Sequence, residues 1–114
     1  MADNVVYIDF DDGVKRVVNN AKLYVKLLVK FRDGTKLDVL ESSLASGDLD
    51  KAQSEAHTIK GVSANLSLTE LYKQSLELET QIKAKSVNPG QFEILKNVFI
   101  QTMQEVEKVI AQNG

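Results

Sequence analysis

The chain has no cysteine and no tryptophan, a single proline and a single histidine in 114 residues. Without cysteine there is no disulfide, no thiolate nucleophile and no sulfur-ligated metal, as suits a cytoplasmic protein. A lone histidine leaves no second imidazole for a metal site. One proline and six glycines leave long stretches free of helix breakers, which favours an all-α architecture. Charge of one sign is also scarce. The 14 Lys and Arg against 16 Asp and Glu give a net −2 with both signs interspersed, so there is no basic stripe for nucleic acid and no polybasic membrane signal. The longest apolar runs, such as Leu27-Leu28-Val29, fall far short of a bilayer span, and Met1-Ala2-Asp3-Asn4 lacks the regions of a signal peptide.

What is present is ordinary globular material, 43% hydrophobic and 26% charged. The length suits one domain over residues 1–114. Val5 to Ile8 reads as a short extended lead-in, and Asp11-Asp12-Gly13 opens a short helix to Val17-Val18. Asn20 is placed to cap a helix to about Arg32, with Leu23, Leu27, Val29 or the Lys30 stem, and Phe31 as its apolar face. A helix over Lys36 to Ala45 carries Leu37, Leu40 and Leu44 and stops at Ser46-Gly47; Asp48 then caps a longer one through Leu66. Ser67 with Glu70 three residues on reads as a capping box for a helix ending near Lys85, and Asn88-Pro89 as the start of a long last helix bearing Phe92, Leu95, Phe99, Met103, Val106 and Ile110. Short connections between long helices predict an antiparallel up-and-down four-helix bundle, with short additional N-terminal helices over one end.

In the Asp48 to Leu66 helix, Leu49, Ala52, Ala56, Ile59, Ser63 and Leu66 form one core stripe. His57 lies about 130° from the centre of that stripe and faces solvent, with Gln53, Ser54, Gly61 and Ala64 around it. Gly61, one turn on, leaves room beside the ring, at a cost of roughly 1 kcal/mol against alanine in mid-helix. Lys60 stands on the adjoining flank, where it offsets negative charge arriving at the ring, and Gln53 is a candidate to orient the imidazole through a ring nitrogen. Ala64 and Leu68 are candidates for a modest apolar docking patch, although Leu68 also reads as core, and Tyr24 and Tyr72 read as half-buried at helix contacts.

The string Ala56-His57-Thr58-Ile59-Lys60-Gly61-Val62-Ser63-Ala64-Asn65-Leu66 resembles the signature of histidine-containing phosphotransfer domains: histidine, one variable residue, an aliphatic, then lysine and glycine, small residues and a closing aliphatic. The family often has glycine after that aliphatic, where this chain has Ser67. A weaker likeness extends to Leu23 through Leu28 with Phe31, and to Leu76 through Glu79. The resemblance implies a phosphocarrier without kinase activity of its own. His57 would accept a phosphoryl group from a receiver aspartate or a hybrid histidine kinase and pass it to a response-regulator aspartate. The chain would bind no cofactor, with Mg²⁺ supplied by the partner receiver domain. The rival reading is a helical adaptor whose histidine is incidental, though an adaptor has no need of Lys60 and Gly61 beside it. The initial methionine and the absence of linker-like tails favour a free-standing protein, and no second wide apolar face is evident, so a monomer is expected.

Overall fold

The computed structural model describes residues 5–113. Among them are six helices and no strand: α1 (Phe10–Arg16), α2 (Ala21–Gly34), α3 (Asp38–Ser46), α4 (Leu49–Asn65), α5 (Thr69–Lys83) and α6 (Gln91–Asn113). Three of them begin at the side-chain caps their sequences offer. Asp9 accepts from Asp12 N–H, Asn20 from Leu23 N–H and Asp48 from Lys51 N–H, each serving a donor that has no partner inside its own helix. α4 packs between α3 and α5, and α6 closes the bundle against α5 and α2. Leu28, Leu40, Ile59, Leu71, Leu78, Leu95 and Val106 meet in its core. No helix among the described residues is long and apolar enough to cross a membrane.

The stripe of α4 is as the spacing predicts: Ala52, Ala56, Ile59, Ser63 and Leu66 are buried. α2 turns a different face inward. Leu23 is exposed, while Tyr24, Leu28 and Phe31 take the core positions. The reason is Tyr24, which is fully buried rather than half-buried. Its hydroxyl donates to the Leu66 carbonyl at 2.6 Å and its ring meets Phe10 edge-on at 5.6 Å, so one aromatic with a satisfied polar tip fixes the rotation of the helix. α1 packs there as well. A Cβ on Gly13 would overlap the Tyr24 ring.

Three predicted helix starts are displaced. Ser67 is not an N-cap. It takes the left-handed conformation (φ 57°) just past the end of α4, and the bonds Leu68 N–H to Ser63 O and Ser67 N–H to Ala64 O close α4 in a Schellman turn. That conformation explains why glycine suits this position in sequences like this one. Here the serine hydroxyl donates to Asp12 instead. The Asn88-Pro89 signal marks a turn rather than a first helical residue. Gln91 N–H bonds Asn88 O, Gly90 adopts φ 90° behind Pro89, and α6 begins at Gln91. α3 begins two residues later than predicted, after Leu37, and ends at Gly47 with φ 79°.

Candidate functional site

His57 sits midway along α4, with its side chain 65% exposed. Its only ring partner among the described residues comes from α5: Nδ1 lies 3.0 Å from Oε2 of Glu79, a residue just 2% exposed. Lys60 Nζ lies 2.8 Å from the other carboxylate oxygen, Oε1, and forms an ion pair with it. Lys83, one turn beyond Glu79 on α5, brings a second ammonium to 3.6 Å of Oε2. A single carboxylate is thus covered by an imidazole and two ammonium groups. Burial pushes the Glu79 carboxyl upward, but Lys60, His57 and the charge of Lys83 outweigh it and hold the group below its usual value. With Glu79 ionised and able only to accept, the proton of the neutral ring belongs on Nδ1. Nε2 is then left with its lone pair toward solvent.

The expected neighbours of His57 fare unequally. Gln53 makes no hydrogen bond to the ring among the described residues; the orienting contact belongs to Glu79, which reaches Nδ1 from the facing helix rather than from one turn back. Lys60 is at the ring's flank as expected, although its ammonium reaches the carboxylate that also holds the ring. Gly61 has nothing within 4 Å of where a Cβ would stand, so the space beside the imidazole is open. Ala64 is half-buried and lines a groove of about 300 Å³ with Ser67, Thr69 and Tyr72. Leu68 is fully buried and belongs to the core, because the Schellman turn folds it under the end of α4.

The antiparallel register that pairs His57 with Glu79 brings Ala64 to Tyr72, and it places Leu76 between these levels. Tyr72 and Leu76 are exposed, and with Gly61 and Ala64 they supply the apolar surface that Leu68 does not. The sequence assigns no site role to Glu79, Lys83, Tyr72 or Leu76: Tyr72 reads as a half-buried helix contact, and Leu76 through Glu79 only as part of the wider likeness. The one available signal is that Glu79 falls at the edge of the buried stripe Leu71, Ser75, Leu78 and Ile82, where an ionised side chain needs a partner.

A family model described as Hpt domain matches residues 34–112. The chain belongs to the Hpt domain family. The matched span takes in α3 to α6, so the histidine helix and the helix that supplies Glu79 both lie inside it, while α1 and all of α2 but its last residue precede it. No curated protein and no solved structure matched the chain. Membership in the Hpt family carries a phosphotransfer role in two-component signalling, with receiver domains and kinases as the partners of the family.

Proposed function

We propose that this Hpt domain protein is a phosphorelay intermediate in which Nε2 of His57 accepts a phosphoryl group from the aspartyl phosphate of a receiver domain, or of a hybrid kinase, and returns it to another receiver aspartate. The observation that carries this reading is the contact from His57 Nδ1 to the ionised Glu79. It holds the ring in the tautomer whose exposed nitrogen is the nucleophile.

In the forward step the Nε2 lone pair forms the bond to phosphorus while the bond from phosphorus to the donor's carboxylate oxygen breaks, its electron pair staying on that oxygen. The proton remains on Nδ1, so the phosphorylated ring carries positive charge, which Glu79 stabilises through the same hydrogen bond. Lys60 and Lys83 are the cations within reach of the arriving phosphoryl oxygens, and the Mg²⁺ used in such transfers comes with the receiver. Gly61, Ala64, Tyr72 and Leu76 form the apolar part of the docking surface, and the lysines suit the acidic rim of a receiver pocket.

The test is to incubate the chain, and a His57→Gln variant, with a phosphorylated receiver domain and follow acid-labile, base-stable label. Label on the wild type alone supports the relay and the site. A wild type that stays unlabelled with several receivers would favour an adaptor without phosphoryl chemistry.

A further inference from the structure

Two buried side-chain oxygens among the described residues have no hydrogen-bond partner, and both belong to α5 at this site: Ser75 Oγ and Glu79 Oε1. Four residues apart, they rise from neighbouring turns of one face, with Cβ atoms about 5–6 Å apart. Ser75 is turned about 40° further toward the core. The serine is unusual in this protein. Of the other buried hydroxyls, Ser43, Ser63 and Thr102 each donate to the carbonyl four residues back, and Ser67 donates to Asp12. Ser75 alone leaves its hydroxyl without a protein partner, one turn from a carboxylate oxygen whose close neighbour is the Lys60 ammonium.

An acceptor, a hydroxyl able to donate or accept, and the Lys60 ammonium 2.8 Å from Oε1 make the three-partner polar lining that one internal water requires. We infer that an ordered water joins Ser75 Oγ, Glu79 Oε1 and Lys60 Nζ, and that Ser75 is a positioning residue which frees Lys60 for the phosphoryl group. The inference rests on His57 being the phosphoacceptor. Before phosphorylation Lys60 neutralises Glu79. A phosphoryl group then brings close to two negative charges to the ring, and Lys60, still partly in contact with solvent, turns toward it. Oε2 keeps the His57 and Lys83 contacts, but Oε1 loses its cation. Left bare, it would draw the ammonium back. A water that donates to Oε1 and is itself anchored by the Ser75 hydroxyl keeps that oxygen hydrogen-bonded throughout.

The test uses the full chain with Ser75→Ala, which removes the hydroxyl, and Ser75→Thr, which retains it. Phosphoramidate serves as a small donor that needs no docking surface: its phosphorus–nitrogen bond breaks, ammonia leaves, and the bond from Nε2 to phosphorus forms. Phosphorus NMR follows the rate, and nitrogen NMR of the imidazole reports the tautomer. The expected result is a rate about fivefold lower in Ser75→Ala with the Nδ1–H tautomer unchanged, and recovery in Ser75→Thr. A high-resolution crystal structure of the wild type should show the water between the three groups. Equal rates in wild type and Ser75→Ala, or no water at that position, would overturn the inference. The water is read without any phosphoryl group, so a wild type that holds it yet takes label from neither phosphoramidate nor receivers would instead overturn the phosphoacceptor reading.

Discussion

Replacing Glu79 with glutamine keeps the shape of the side chain and removes its charge, which makes it the sharpest probe of the site. The amide oxygen can still accept from Nδ1–H, so what is lost is the charge assistance. Hydrogen bonds to charged groups contribute about 1.5–3 kcal/mol against about 1 kcal/mol for neutral ones. The difference is about 0.5–2 kcal/mol; the imidazole is mostly exposed and water screens part of it, which leaves roughly 0.5–1.5 kcal/mol. At about 1.4 kcal/mol per factor of ten, Glu79→Gln should slow phosphoryl transfer to His57 about 2- to 12-fold. The effect should appear in the rate at saturating receiver and leave half-saturation unchanged, because Glu79 is buried beneath the proposed docking surface. Rapid-quench single-turnover transfer measures both. Stability should change less. The three groups that cover Glu79 all reach solvent, so the expected loss is about 1 kcal/mol, a few degrees in melting temperature. Since the native carboxyl is held below the usual 4.5, its contribution is complete above that value and disappears as pH falls through the lowered native one; the variant should therefore show a flatter acid limb. Transfer at the wild-type rate, or a change confined to half-saturation, would refute the assignment of Glu79 to the ring.

Gly61→Ala should raise stability by roughly 0.5–1 kcal/mol in thermal or urea unfolding, because the helix gains propensity and the added methyl meets nothing; Gly61→Leu should fold equally well and impair receiver-dependent labelling by closing the space beside the ring. Gly13→Ala drives a methyl into the buried Tyr24 ring and should cost about 1–3 kcal/mol, with near-ultraviolet dichroism reporting the displaced aromatics. Ser67→Ala loses the bond to Asp12 yet keeps the left-handed backbone, for about 1 kcal/mol of destabilisation. Ser67→Gly loses the same bond but relieves the backbone, so it should melt close to the wild type.

The helices were legible because glycine, proline and Asx residues punctuate the chain and one residue spacing runs unbroken through α4. His57, Lys60 and Gly61 could be read from that same helix, since their relations are local. Glu79 could not. In Glu77-Leu78-Glu79 it looks like any solvated acid, and only the register of α5 against α4 shows that it reaches the imidazole. The choice of Gln53 as orienting residue failed for the same reason: a pattern within one helix cannot reveal a partner on the next. Ser67 misled differently, since serine followed by a glutamate fits both an N-terminal cap and the residue past a helix end. The left-handed backbone that decides between them follows from Leu68 being drawn under α4. Tyr24 shows tertiary contact overriding helix-face pattern, because a hydroxyl with a waiting carbonyl drew it into the core ahead of Leu23.

The end of the histidine helix is also where the start of the chain is fastened. Tyr24 reaches Leu66 across 42 residues, Ser67 reaches Asp12 across 55, and Thr69 reaches the Val6 carbonyl across 63. Contacts of such separation close late in folding, since large loops must be ordered before they are rewarded. Residues 6–24 should therefore dock onto a bundle whose α4 and α5 have already found each other. In the native state they should form the first cooperative unit to open. Amide exchange in α1 would then outpace that around His57, and a chain with its N-terminal segment released would keep the imidazole and carboxylate in register.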